Sequence, residues 1–127
     1  MAPMIFAKSI LNKLPINVFN YGNMKRDFTY IDDIIEGVFR CCYKPACIEN
    51  DFDSLRPDPS LSFAPYRVFN IGNSSPIELL KFIEILEDEL GVKSIKNFLP
   101  IQPGDVEATA ANTDLLDAWV DFKPSTS

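Results

Sequence analysis

Arg26 stands in Gly22-Asn23-Met24-Lys25-Arg26-Asp27, a single arginine beside a predicted turn. Its planar guanidinium suits a phosphate or a carboxylate held by two parallel hydrogen bonds. On residue types alone, a surface ion pair with Asp27 or Asp32 is the simpler reading. Asp105 ends Gln102-Pro103-Gly104-Asp105. A carboxylate fixed on a Pro-Gly turn can accept two hydroxyl hydrogen bonds, for example from a ribose, but Asp in such places often just closes an Asx-type turn. Ile71-Gly72-Asn73-Ser74-Ser75-Pro76 reads as strand, glycine turn and helix start, where free backbone N–H groups can hold a phosphate. It has only one glycine, and Ser75 with Glu78 accounts for it as a helix cap. Tyr21 and Lys25 have the Tyr-x-x-x-Lys spacing in which a lysine one helical turn away lowers a tyrosine pKa. Gly22-Asn23 predicts a turn there, so that match reads as accidental.

The counts exclude several chemistries. The 127 residues contain no histidine, which removes Ser-His-Asp and Cys-His catalysis and most zinc sites. The net charge is −6 and no Lys/Arg cluster appears, so a nucleic-acid partner is not expected. Cys41, Cys42 and Cys47 form no even-numbered disulfide framework and no CxxC pair. They read as small apolar residues in a reducing, cytoplasmic setting, with no metal bound. No apolar run approaches the roughly 20 residues that span a bilayer, and the N-terminus lacks a secretory pattern, so no membrane partner is expected.

The length fits one domain over 1–127 with a real core. Helical spacing predicts a first helix over Pro3–Lys13, ended by Leu14-Pro15. Ile16–Phe19 and Phe28–Ile31 are β-prone, with a turn over Asn20–Asn23 between them. Asp32 or Asp33 is expected to cap a helix to about Tyr43, with Ile34, Ile35, Val38, Phe39 and Cys42 on one face. Residues 45–65 hold four prolines among polar residues and form a long surface loop. Tyr66–Ile71 reads as a strand. Ser75-Pro76-Ile77-Glu78 then gives the clearest local signal, a capping box opening a helix to about Leu90 with Gly91 as its C-cap. Leu79, Phe82, Ile83, Leu86 and Leu90 form its buried stripe, and Glu78, Lys81, Glu84, Glu87 and Asp88 its solvated face. A short extended segment over Ile95–Ile101, a turn at Pro103-Gly104-Asp105, an extended Thr109–Ala111 and a last helix capped by Asn112 or Thr113 complete the pattern. Short strands alternating with about four helices argue an α/β or α+β fold. Asp121–Ser127 supplies cap-type residues, so a further helix is expected after it.

In order along the chain stand Val18-Phe19-Asn20-Tyr21-Gly22, Arg26-Asp27-Phe28-Thr29-Tyr30-Ile31-Asp32-Asp33-Ile34, Val68-Phe69-Asn70-Ile71-Gly72-Asn73-Ser74-Ser75-Pro76, Leu99-Pro100 and Gln102-Pro103-Gly104-Asp105-Val106. This series closely resembles the C-terminal part of nucleotide-sugar epimerases of the extended short-chain dehydrogenase/reductase superfamily. It is most similar to the UDP-glucuronate 4-epimerases of the capsular-polysaccharide type. The resemblance covers nearly the whole chain except the 45–65 loop.

The resemblance implies a Rossmann-type enzyme whose N-terminal NAD-binding domain and catalytic Tyr-x-x-x-Lys are absent from these residues. It implies UDP-sugar, UDP-glucuronate above all, as ligand, and NAD as cofactor of the complete enzyme but not of this chain. It implies no catalytic residue here. Arg26 matches the arginine that grips the UDP pyrophosphate, and Asp105 the acid near the uridine ribose. Val18 and Phe19 lie in the segment that lines the uracil pocket, mainly through backbone atoms. Gln102 stands where galactose-type epimerases carry an arginine and where the glucuronate type commonly has glutamine. The chain is thus expected to position the sugar nucleotide without epimerase activity of its own. Two alternatives stand beside this one. The chain is a protein-interaction or self-associating domain, forming a homo-oligomer through its 45–65 loop or an uncovered apolar face. Or it belongs to a related nucleotide-sugar dehydratase or decarboxylase.

Overall fold

The computed structural model describes residues 2–48 and 52–126. Along the chain the elements are α1 (Ala2–Leu11), β1 (Pro15–Val18), a 3-10 turn (Phe19–Gly22), β2 (Lys25–Arg26), α2 (Ile31–Tyr43), β3 (Ile77–Glu78), α3 (Leu79–Leu90), β4 (Ile95–Phe98) and α4 (Asp114–Val120). The chain forms two compact units. The first contains the residues up to Arg26 together with Pro76–Thr109, and the second Asp27–Ser75 with the residues from Ala110 on.

The first unit is built on a parallel ladder. β1 pairs with β4 from Pro15↔Ile95 to Val18↔Phe98. Ile16 and Val18, two residues apart, face the core at 2% and 0% exposure, as the period of a strand requires. Phe6 and Ile10 of α1 and Ile83 of α3 complete that core, with Leu79, Phe82, Leu86 and Leu90 against it. The stripe expected on α3 is the stripe that packs on the core, with Ile83 buried and the other four partly buried. Gly91 ends the helix in the left-handed region (φ 64°), with its N–H donating to the Asp88 carbonyl.

The start of α3 is not where the capping box places it. The helix begins at Leu79, with Glu78 at the cap position and no side-chain cap bond. Ile77 and Glu78 are extended and pair antiparallel with Arg26 and Lys25. The Leu79 N–H donates to the Met24 carbonyl at 2.8 Å. Backbone pairing with β2 satisfies these groups, so the cap motif is not needed at this point.

Glu87 departs from the expected solvated face. It is 4% exposed. Its Oε1 accepts from the Ser94 N–H (3.1 Å), the Ser94 hydroxyl and the Lys96 ammonium, and Oε2 lies 3.2 Å from the Lys93 ammonium. The chain turns back at Gly91, which brings residues 93–96 over the same helix face. Bonds from Lys96 first, then Ser94, hold the carboxyl at about 2 against desolvation, which alone would raise it.

In the second unit, α2 opens after an extended Tyr30 that makes no side-chain cap bond. Asp32 and Asp33 lie inside the first turn rather than at the cap, where their charge favours the helix dipole. The Asp33 carboxylate accepts from the N–H groups of Ser125 (3.2 Å) and Thr126 (2.9 Å) and the Thr126 hydroxyl (3.1 Å). The Thr126 bond leads in holding its pKa below the ordinary range. The face expected on α2 has the right spacing, yet Ile35, Val38 and Phe39 stay 57%, 55% and 54% exposed. α4 follows Thr113, and Asn112 Oδ1 accepts from the Asp114 N–H at 2.9 Å.

Three expected extended segments are not strands. Phe28–Tyr30 and Tyr66–Ile71 run without a ladder, save one isolated bridge between Leu61 and Arg67. Thr109–Ala111 is likewise irregular, beside a single bridge of Ala108 to Lys25. A β-prone run becomes a strand only where a neighbour bonds it over several residues, and here the pairing stops at single bonds such as Val68 N–H to the Ser60 carbonyl (3.1 Å) and Thr109 N–H to the Lys25 carbonyl (3.2 Å). In the 45–65 loop, Asp53 and Asp58 close Asx turns on the N–H groups of Leu55 and Ser60, each at 2.8 Å. Residues 49–51 of that loop lie outside the described set.

Two outcomes test this packing. Gly22 has φ +87°, and a Cβ there would stand 2.9 Å from the Leu80 side chain. Gly22→Ala is expected to cost about 2 kcal/mol in denaturant unfolding. Because the Glu87 pKa is lowered on folding, its contribution is full above the ordinary carboxylate range and disappears as pH falls towards about 2. That contribution is on the order of 2–3 kcal/mol. Glu87→Gln should therefore flatten the loss of stability between about pH 5 and pH 2, as followed by urea unfolding across that range.

Candidate functional site

Arg26 ends β2 and is held from two sides. Its Nη1 donates to the Lys25 carbonyl (2.8 Å) and the Glu107 carbonyl (3.2 Å). Its Nη2 donates to Asp105 Oδ1 at 3.1 Å, across 79 positions of sequence. The two side chains are 27% and 32% exposed, so the pair is partly shielded from water. The ion pair of Arg26 is thus made with Asp105.

Asp105 owes its place to the turn that the sequence predicts. Its N–H donates to the Gln102 carbonyl at 3.1 Å, and Gly104 takes φ +84° between them. Asp105 Oδ1 also accepts from the Val106 N–H at 3.0 Å. The bonds from Val106 and from Arg26 therefore coexist on one oxygen. The Gln102 side chain is exposed at the head of the same turn.

The segment after β1 is the other wall. Val18 is wholly buried, and its carbonyl accepts from the Leu99 N–H at 3.0 Å. Phe19 opens the 3-10 turn. Asn20 and Tyr21 follow in the left-handed region, at φ 50° and 51°. Such residues are uncommon away from glycine and persist where the surroundings enforce them. Here Tyr21 N–H donates to the Leu99 carbonyl (3.0 Å) and Asn20 Nδ2 to the Asn23 carbonyl (2.7 Å). With Tyr21 in this turn and Lys25 in β2, the two do not lie one α-helical turn apart, and the Tyr-x-x-x-Lys match is accidental.

Sequence reasoning missed the backbone partners. The carbonyls of Glu107 and Lys25 fix the guanidinium plane, and Leu99 ties the end of β4 to both Val18 and Tyr21. Residue types carry no signal for main-chain contacts. It also missed a cleft of about 270 Å³ lined by Gly22, Met24, Lys25, Leu80 and Glu107, crossed by the Lys25–Glu78 ion pair at 3.5 Å.

In the second unit, the glycine turn at Ile71–Pro76 is filled by the chain's own anion. Asp27 Oδ2 accepts from the Ser74 N–H (3.0 Å) and Oδ1 from the Ser75 N–H (3.2 Å), while Thr29 Oγ1 accepts from the Asn73 N–H (3.2 Å). A Cβ on Gly72 would stand 2.8 Å from the Ala111 Cβ and 3.0 Å from Asp27 Oδ2. A dinucleotide phosphate does not fit that turn, because the Asp27 carboxylate already occupies its donors. Among the described residues no group of three or more His, Cys, Asp or Glu is placed to hold a metal ion. Cys41, Cys42 and Cys47 are free thiols, and burial first, then the neighbouring Cys42, raises the Cys41 pKa.

No protein-family profile matches the chain. Individual proteins do. Protein CapI of Staphylococcus aureus is 49% identical over 127 residues, which is 100% of this chain and 38% of CapI. The probable UDP-glucuronate 4-epimerase of Rhizobium meliloti is 44% identical over 128 residues, again 100% of this chain and 38% of that protein. The UDP-glucuronic acid 4-epimerase of Bacillus cereus, solved with UDP-glucuronic acid and NAD, superposes with a TM-score of 0.76 at 28% identity, over 100% of this chain and 35% of its own. The chain is related throughout to the C-terminal part of extended short-chain dehydrogenase/reductase epimerases. It spans little more than a third of the length of these curated relatives. The α/β arrangement of short strands and four helices is that of this Rossmann-type family.

The filled glycine turn makes a direct prediction. Asp27→Ala leaves the N–H groups of Ser74 and Ser75 without their charged acceptor and should lower stability by about 1.5–3 kcal/mol. Asp27→Asn, which keeps an oxygen acceptor, should lose less. Thermal unfolding of the two variants side by side checks the order.

Proposed function

We propose that this chain holds the nucleotide side of a UDP-sugar, UDP-glucuronate by preference, in a site of the UDP-glucuronate 4-epimerase kind. Arg26 grips the pyrophosphate and Asp105 receives the ribose hydroxyls. The segment of Val18 and Phe19 lines the uracil, with Phe19 its accessible residue and Gln102 at the rim. The observation that carries this reading is the Arg26–Asp105 contact at 3.1 Å. Two residues chosen separately for phosphate and ribose chemistry stand side by side.

The geometry explains how one pair serves both tasks. Nη1 is committed to two carbonyls, so the guanidinium plane is fixed before any ligand arrives. Nη2 faces Asp105. A pyrophosphate carries more negative charge than one carboxylate and competes for Nη2, which frees Asp105 to accept hydroxyls. The net charge of −6 works against an anionic ligand, so binding depends on this local cation.

Hydride chemistry at the sugar needs NAD, which the Bacillus cereus enzyme carries in its complex. In this chain the one glycine turn of suitable kind is closed by Asp27. On this reading the 127 residues position a sugar nucleotide and do not epimerise it. The free thiols fit a reducing compartment such as the cytoplasm.

A second reading rests on the exposed Ile35, Val38 and Phe39 of α2, which suit a protein partner or a second copy of the chain. Light scattering separates the two, since nucleotide binding alone predicts a monomer.

Calorimetric titration of UDP tests the main reading. Arg26→Ala should weaken binding at least about tenfold, the equivalent of one charged hydrogen bond. Equal affinity for both forms overturns it. Incubation of the chain with UDP-glucuronate and NAD should yield no galacturonate epimer, and its appearance contradicts the division of labour.

A further inference from the structure

Glu87 is the one carboxylate on α3 that faces inward, and a purely apolar residue would fill that position at less desolvation cost. What it bonds is a specific piece of chain. Ser94 gives it both its N–H and its hydroxyl, and Lys96, inside β4, gives its ammonium. Lys93 adds a contact of 3.2 Å from the surface. All three partners belong to the short link from α3 to β4 or to β4 itself.

β4 leads from there to the candidate site. Lys96 lies opposite Ile16 in the ladder. Two residues past it the strand ends, and Leu99 bonds Val18 through its N–H and Tyr21 through its carbonyl, both at 3.0 Å. The Gln102–Asp105 turn follows, and Asp105 meets Arg26. A slip of β4 along β1 by one residue would turn its side chains to the opposite face and carry Leu99 away from both partners. Within the four-pair ladder, Asn97 Nδ2 donates to Asn17 Oδ1 at 3.0 Å, and Glu87 adds its hold on the strand from outside the ladder.

We infer that Glu87 is a positioning residue for the nucleotide site, fixing the register of β4 on β1 and through it the places of Leu99 and Asp105. This rests on the nucleotide reading above only for its consequence in binding. The register itself is a property of the chain alone.

The test has two arms, both on the full chain with Glu87→Gln. Gln keeps the size and one acceptor oxygen but loses the charge. In amide hydrogen exchange, positioning predicts a selective effect. The Leu99 and Asp105 amides should lose protection at least about tenfold more than the core amides of α1 and α3. Equal loss at all these amides means that Glu87 only adds stability, and overturns the proposal. A Lys81→Gln variant, whose partner Glu84 is exposed on the same helix, serves as the control and should leave Leu99 and Asp105 unchanged. In the second arm, UDP should bind Glu87→Gln at least about tenfold more weakly at a temperature where both forms are folded. Unchanged affinity overturns the proposal while leaving the nucleotide reading intact. If the unaltered chain takes up no UDP, the nucleotide reading fails, and the exchange arm still decides for or against Glu87.

Discussion

The parallel pairing of β1 with β4 is the constraint from which the first unit follows. Parallel strands end on the same side, so the chain leaving Val18 and the chain leaving Phe98 emerge together although 80 positions separate them. Of the residues assigned to the nucleotide, Val18 ends β1, Phe19, Gln102 and Asp105 lie just beyond the two ends, and Arg26 follows in β2. The strained 19–22 turn follows one strand, the 102–105 turn follows the other, and Leu99 joins them by two backbone bonds. Ligands of open α/β folds gather at the carboxyl ends of their strands for this reason, since only there do loops from separate strands converge.

Two carboxylates show how one residue type serves opposite ends. Glu87 is buried and fully bonded, and its charge organises the chain around it. Asp105 is partly exposed and shares a single arginine, so its bond can be exchanged for another. Asp27 is a third case, closing off backbone donors that would otherwise attract an anion. Burial and the number of partners decide which carboxylate is scaffold and which is available to a ligand.

The same distinction marks what was legible in the sequence. The α3 stripe, the Gly91 cap and the Pro103-Gly104 turn were readable because each depends on residues within a few positions of one another. The capping box at Ser75–Glu78 failed for a non-local reason: Asp27, 48 positions away, bonds Ser75, and β2 pairs with Ile77 and Glu78. Glu87 looked solvated because its partners come back only after the turn at Gly91. Tyr66–Ile71 has strand-forming residues, but its pairing with the preceding loop stops at one bridge, Leu61 to Arg67. In the candidate site, Arg26 and Asp105 could be picked out by residue type and by family resemblance, whereas the carbonyls of Lys25, Leu99 and Glu107 had no signature at all.

The most direct test of the central claim is a nuclear magnetic resonance titration of the chain with UDP, following backbone amides and the Arg26 guanidinium. A nucleotide held beyond the ends of β1 and β4 predicts that shifts concentrate at residues 18–22, 26 and 102–105. Shifts centred instead on the 72–75 turn, with Arg26 and Asp105 unmoved, would contradict it.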